Sequence, residues 1–356
     1  MQKLSKLYKQ IASMQNLWDA AWQTLLHGRR FKNEGAAFKL TYEHSLLQIH
    51  KVLATQSYKH GKYKAFMIYE PKQRQVLAAP IKDRIVHHAL HDVIEPFIDR
   101  KFIFDSYACR KNKGTHLAIN RSQKMMQANQ YFMHLDVKKY FQNINHQILK
   151  SILSKHIKQA DVLNLFHIII NSSVKKEQLT AEQDLFTTPI KGLPIGNLTS
   201  QFLANLYLNE LDQYVKHHLK IKHYVRYMDD FVVFGNNRKQ MLQWQQQIVA
   251  FCTQKLALSL HIKGGIKNYW EGLGFLGFKI FRKHKKLKTV CLNRYLQKYK
   301  QQHKQFVKGN ITATKIQQSI DTWQNHIAFA DTYKLQEYLI PKYKLNIQPL
   351  KKELAI

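Results

Sequence analysis

The sequence predicts a mixed α/β fold of the α+β kind, and three features predict it. The first is Tyr224-Val225-Arg226-Tyr227-Met228-Asp229-Asp230-Phe231-Val232-Val233-Phe234-Gly235. Apolar, β-prone residues flank two adjacent carboxylates there, which reads as two short strands meeting at a tight turn with the acids at its tip. The second is Tyr131-Phe132-Met133-His134-Leu135-Asp136-Val137, a short apolar strand that runs into an aspartate. The third is helical periodicity at both ends of the chain.

The elements follow in order. Residues 1 to about 60 read as helical, with Leu17, Trp18, Ala21, Trp22 and Leu25 recurring on one face. Tyr69 to Pro80 looks like a strand pair with a basic turn containing Lys72 and Arg74. Ile81 to Phe97 is an amphipathic helix whose end is marked by Pro96. Asn205 to Leu219 is a further helix just before the acidic hairpin. Gly272 to Phe278 reads as one Gly-punctuated strand, with glycines where backbone must approach closely. From about residue 286 the chain is basic and helical.

The carboxylates suggest a chemistry. Adjacent like charges repel, so Asp229 and Asp230 are costly unless neutralised. Mg²⁺ suits them, because it binds one or two carboxylates together with substrate phosphates. Two-metal phosphoryl transfer needs acids from separate strands to hold ions roughly 3.5–4 Å apart. Asp136, Asp229 and Asp230 supply such a set. Each also has a plainer reading: a solvated Asp-Asp turn, and a helix cap or turn residue after a strand.

Composition points to the partner. The chain has 356 residues, is 45% hydrophobic, and carries a formal net charge of +33 from 56 Lys+Arg against 23 Asp+Glu. It is long enough for more than one domain. The imbalance implies a polyanion, and nucleic acid is the first candidate. No segment approaches ~20 uninterrupted apolar residues, so no membrane partner is expected. No apolar stretch follows the basic N-terminus, so no secretory signal is expected. Cys109, Cys252 and Cys291 are far apart and make neither a zinc pattern nor a disulfide framework. That fits a reducing, cytoplasmic setting. The 19 His are scattered without a convincing ligand spacing.

Taken together, these segments resemble reverse transcriptases from about residue 15 to 340, in the family's order. The resemblance implies a right-hand polymerase with fingers, an antiparallel-sheet palm and a helical thumb. It divides the chain into an N-terminal helical extension (1–65), fingers (66–130), palm with finger insertions (131–285) and thumb (286–356). It makes Asp136, Asp229 and Asp230 the catalytic, metal-binding residues, adds the carbonyl of Val137 as a ligand, and implies two Mg²⁺ ions, with Mn²⁺ as a substitute. Phe141 falls at an aromatic gate that would exclude a ribose 2′-hydroxyl; the alternative is core packing. Lys72 and Arg74 fall where the triphosphate of a dNTP is gripped, Arg offering bidentate and Lys point-charge contact. A solvated basic turn is the alternative.

Gly192-Leu193-Pro194-Ile195-Gly196-Asn197-Leu198-Thr199-Ser200-Gln201 narrows the resemblance. Group II intron and retroviral enzymes usually carry Gln where Ile195 stands and Pro where Gln201 stands. The form seen here is similar to reverse transcriptases of diversity-generating retroelements, as are Pro80 to Leu90 and Asp105 to His116. Ile195, Gly196 and Gln201 are therefore candidate nucleotide-pocket residues. An alkyl group at 195 cannot order the nascent pair as an amide can, which implies error-prone copying at template adenines; simple packing of Ile195 is the alternative. The resemblance further implies a template RNA and a cDNA or primer as partners, together with a small basic accessory protein, a pentameric helical bundle. The rival readings are a defence-associated or other bacterial reverse transcriptase and, from another class, an inactive nucleic-acid-binding scaffold. Retron enzymes fit less well, because their usual Asn-Ala-x-x-His and Val-Thr-Gly patterns are missing. The end of the chain at Ile356 disfavours an appended endonuclease, RNase H or integrase region.

Overall fold

The computed structural model describes residues 6–26, 33–69, 73–172 and 189–342. Among the described residues four helices come first: α1 (Leu7–Ala12), α2 (Met14–Leu25), α3 (Asn33–Leu40) and α4 (Tyr42–Ala54). The break between the first two is set by Ser13, whose hydroxyl caps α2 by accepting the Asn16 N–H. They pack around α5 (Ile81–Asp99), whose Ile85, Ala89, Leu90 and Ile94 are buried. The predicted proline stop is corrected here: α5 continues past Pro96 to Asp99. A proline in the last turn forfeits only one hydrogen bond, and burial of Ile98 carries the turn onward.

The predicted strand pair is present with shifted limits, β1 (Lys64–Ile68) and β2 (Arg74–Ala78), antiparallel from Lys64↔Ala78 to Ile68↔Arg74. The first strand thus lies before Tyr69, and Lys72 lies outside the described residues.

After α6 (Thr115–Ala128) the chain builds a four-stranded antiparallel sheet from β3 (Tyr131–Val137), β4 (Tyr224–Tyr227), β5 (Asp230–Gly235) and β6 (Leu260–Asn268), in the order β4-β5-β3-β6. Between β3 and β4 run α7 (Tyr140–Asn143), α8 (His146–His156), α9 (Ala160–Asn171) and α10 (Leu198–Gln213). The helix expected from Asn205 starts earlier, at Leu198, so that Thr199, Ser200 and Gln201 form its first turn. It ends at Gln213 in a π-helical turn, Tyr214–His218. The helix α11 (Arg238–Leu256) links β5 to β6.

Alternation along the inner strands covers both sheet faces. Met133, Leu135, Phe231 and Val233 join the large helical core, while Phe132, Val232 and Phe234, with Val225 of the edge strand β4, face α6 and a second sheet. That second sheet corrects another expectation. The stretch read as one Gly-punctuated strand is a hairpin, β7 (Leu273–Phe275) and β8 (Phe278–Ile280), extended by β9 (Lys285–Leu287). Its turn residues Leu276 and Gly277 both have positive φ, 47° and 90°, the geometry that suits a tight hairpin. Three helices close the described chain: α12 (Thr289–Val307), α13 (Ala313–Ile327) and α14 (Tyr333–Lys342). They have their own core, in which Tyr295 stacks on Trp323 at 3.9 Å.

Candidate active site

The acidic hairpin forms as its sequence suggests. β4 and β5 pair Tyr227 with Asp230, and Met228 takes the left-handed conformation (φ 55°) that lets the chain reverse. On its other side β5 pairs with β3, and the register sets Asp136 directly opposite Asp230. The Val137 N–H donates to the Asp229 carbonyl at 3.1 Å, which pins the turn to the end of β3. Asp136, distant in sequence from the adjacent Asp229 and Asp230, therefore converges with them and Val137 at one end of the two inner strands.

Their electrostatics differ. Burial, and next the neighbouring Asp136 charge, push Asp229 up to about 6. Burial also raises Asp136, with the Asp230 charge adding to it and Lys263 opposing. Asp230 is held below the usual carboxylate range: burial acts upward, but hydrogen bonds from the His134 imidazole and the Lys263 ammonium outweigh it. Lys263 Nζ lies 2.9 Å from Asp230 Oδ1 and 3.7 Å from Asp136 Oδ2.

Lys263 and His134 are site residues that sequence reasoning missed. Lys263 sits in an irregular part of β6. Met133 faces Ile266 but Leu135 faces Ile262, so β6 advances farther than β3, and Gly264 and Gly265 absorb the excess with φ of 77° and 70°. Lys263-Gly264-Gly265 inside a strand pattern is the signal of such a bulge, and bulges re-aim side chains near active sites.

Among the described residues, no group of three or more His, Cys, Asp and Glu side chains is disposed to hold a metal ion. The donor set still fits a divalent cation. Burial holds Asp136 and Asp229 above the usual carboxylate range, with Lys263 3.7 Å from Asp136, whereas Asp230 is held below it by direct hydrogen bonds from Lys263 and His134. Two carboxylates, with substrate phosphates completing the shell, are what Mg²⁺ takes.

The remaining candidates gather elsewhere. Phe141 is half-buried in α7, against the helical core and edge-to-face with Tyr140 at 5.8 Å. Its carbonyl accepts the Leu193 N–H at 2.7 Å, tying α7 to the Gly192–Gln201 segment. That segment leans on β2: the Leu77 N–H donates to the Ile195 carbonyl at 3.1 Å. Gly196 has φ 113°, and a Cβ there would lie 2.7 Å from Val76 Cγ1, so both conformation and contact require glycine. Ile195 is half-buried. Gly196 and Gln201 line a cavity of about 510 Å³ with Phe66, Val76, Arg84 and His87. Arg74 is exposed at the start of β2. None of the three aspartates lines this cavity.

A polymerase-like arrangement is thus on view: carboxylates on the inner strands of an antiparallel sheet, a β-hairpin over a neighbouring cavity, and a basic helical C-terminal unit. The profile described as "Reverse transcriptase (RNA-dependent DNA polymerase)" matches residues 59–280, and the chain belongs to that family. "Protein YkfC" of Escherichia coli is 26% identical over 55% of this chain and 54% of its own length. "Group II intron-encoded protein LtrA" of Lactococcus lactis subsp. cremoris is 21% identical over 74% of this chain and 55% of its own. This chain therefore spans little more than half the length of either relative. Among solved structures, apo telomerase from Candida tropicalis overlays with a TM-score of 0.50 at 11% identity, covering 82% of this chain and 60% of that one. That likeness bears on the fold, which is the right-hand polymerase fold. No helix among the described residues is long and apolar enough to cross a membrane.

Proposed function

We propose that this chain is an RNA-directed DNA polymerase that extends a primer into cDNA on a template RNA. The reaction joins the primer 3′-oxygen to the α-phosphorus of a dNTP, displaces pyrophosphate and releases the hydroxyl proton. The observation that carries the reading is the register that brings Asp136 opposite Asp230 while Val137 holds the Asp229 carbonyl. Two Mg²⁺ ions, or Mn²⁺ in their place, would supply charge stabilisation to the attacking and leaving oxygens. Asp136 and Asp229 would hold them, with the Val137 carbonyl. Asp230, braced by His134 and Lys263, keeps the cluster in register and completes the acidic set. Phe141 stands as the gate against a ribose 2′-hydroxyl. Arg74, with Lys72, binds the triphosphate, and Ile195, Gly196 and Gln201 border the nascent base pair. In this reading residues 66–130 are fingers, 131–285 palm and 286–356 thumb, with 1–65 an N-terminal extension, and the net charge of +33 serves the nucleic-acid backbone.

Within that class we assign the chain to the polymerases of diversity-generating retroelements, which copy a template repeat with errors at adenines and work with a basic pentameric accessory protein. Ile195 and Gln201 support this, because the first puts an alkyl group where other reverse transcriptases usually carry an amide. Primer extension on RNA with dNTPs and Mg²⁺ tests the activity: a folded, RNA-binding protein that adds no nucleotide would instead be a scaffold. Sequencing the cDNA tests the subtype: errors spread evenly over all template bases would remove it.

A further inference from the structure

We infer that Arg226 is a positioning residue for the metal-binding turn, acting through the Met228 carbonyl; the inference rests on the polymerase reading above. Arg226 lies in β4 and is 0% exposed. Its Nε and Nη2 meet the Asp212 carboxylate at 2.6 to 3.0 Å. Its Nη1 reaches the Asn205 side-chain oxygen at 3.0 Å and the Met228 carbonyl at 3.1 Å. The partners are fixed in turn. Asp212 also accepts the Tyr224 hydroxyl, and Asn205 donates to the Ala108 carbonyl. The Arg226 backbone is held on both sides, its N–H by the Asp105 carbonyl and its carbonyl by the Tyr107 N–H.

Stability alone does not account for this arrangement. Both charged groups are fully buried, and such pairs are commonly replaced by apolar side chains without loss of stability. What apolar side chains cannot do is hold the Met228 carbonyl. Met228 is a non-glycine residue at positive φ, a conformation that surrounding contacts must maintain. The direction of its carbonyl sets the plane of the next peptide, and so the direction in which Asp229 leaves the turn. The planar guanidinium can bind Asp212 and Met228 together; an ammonium offers no such fork. Both side-chain anchors, Asn205 and Asp212, ride on α10, the helix whose first turn carries Gln201. The cavity border and the carboxylate turn are thereby tied to one rigid element.

The test uses the full chain and the paired variant Arg226→Met with Asp212→Leu, which fills the space and removes both charges. Three quantities are read: Tm, Mn²⁺ affinity of the protein without nucleic acid by paramagnetic resonance, and kcat and KM for dNTP in Mg²⁺. A positioning role predicts a Tm close to wild type, weaker Mn²⁺ binding, and a kcat lower on the order of 10²-fold with KM within about twofold. Wild-type kcat and Mn²⁺ affinity in the paired variant would overturn the inference. If the pair fails to fold, Asn205→Leu decides. It keeps the ion pair and loosens Nη1, so a reduced kcat at unchanged KM and Tm supports positioning, and wild-type kcat overturns it. Should the wild-type protein extend no primer, the polymerase reading falls, and the Mn²⁺ comparison alone still decides whether Arg226 shapes the turn.

Discussion

The central sheet and the β1–β2 hairpin are both antiparallel, yet they are built in opposite ways. In the sheet, β3 and β5 are inner strands with both faces covered, and the turn between β4 and β5 is held by Val137. The hairpin has two strands only, and all five residues of β1 are exposed, Phe66 by 46%. Two strands alone are marginal in water. Contacts with Ile195 and Gly196 help to order β2. The carboxylates are therefore held by the sheet itself, whereas in the proposed reading the hairpin would be ordered further by the nucleotide it binds. Changes in the sheet should act on kcat, and changes in the hairpin on KM.

The largest expected effect lies in the sheet. Asp229→Ala or Asp136→Ala should lower kcat by about 10³-fold or more with the fold retained, because in-line displacement loses its charge stabilisation. Primer extension and a melting curve on the same preparation check this. Near-wild-type extension by Asp229→Ala would break the contrast at its root.

Next is a pH effect on metal-free protein. Asp229 is raised from 3.8 to about 6 by folding, so the folded state holds its proton more tightly than the unfolded one. Its contribution is most favourable below about pH 4 and declines as pH rises through 6, by on the order of 3 kcal/mol in all. Asp136 is shifted in the same direction. In EDTA, Asp229→Asn should match wild type near pH 4 and melt higher at pH 8. A pH-independent difference between the two curves would mean that Asp229 is not short of positive charge.

The two regions were not equally legible in the sequence. The acidic hairpin declared itself because its pattern is local: β-prone residues, a turn and two acids within twelve positions. Two-metal chemistry grouped it with Asp136, but the β3–β5 pairing that brings them together was not read from the sequence. Lys263 escaped because it depends on a bulge, and Arg226–Asp212 because partners on different elements leave no periodic trace. The β7–β8 turn was hidden by Leu276, a residue that favours strands and helices but here sits at positive φ. Pro96 looked like a stop because the burial of Ile98 that sustains the turn is tertiary. Lys72 falls outside the described residues, so the basic turn stays a sequence expectation.

Two predictions probe the border between the regions. Phe141 belongs to the sheet side through α7 but is tied to the Gly192–Gln201 segment. Phe141→Ala should raise ribonucleotide incorporation on the order of tenfold or more relative to dNTP. Unchanged discrimination in single-nucleotide addition would make the ring core packing. Arg74 is on the hairpin, exposed, and should act on binding alone. Arg74→Ala is expected to raise the dNTP KM about tenfold with kcat nearly constant. A fall in kcat instead would mean that the hairpin takes part in ordering the carboxylates.

The smallest expected effect is on accuracy. Ile195 is half-buried, and its carbonyl is engaged with β2, so its backbone serves the hairpin contact whatever its side chain does. Ile195→Gln leaves that backbone bond available and changes only what the side chain can offer. An amide can donate and accept where the alkyl group cannot, and selectivity grows when a wrong pair forfeits hydrogen bonds that a right one makes. A difference of ~1.4 kcal/mol in relative barriers changes an error ratio tenfold. The substitution should therefore lower misincorporation opposite template adenine by up to about that factor, and opposite other bases by less. Sequencing cDNA made by both proteins on one template measures it. Equal adenine error rates would mean that Ile195 only packs, and that any infidelity arises from the residues that line the cavity, of which Gln201 is the first to exchange.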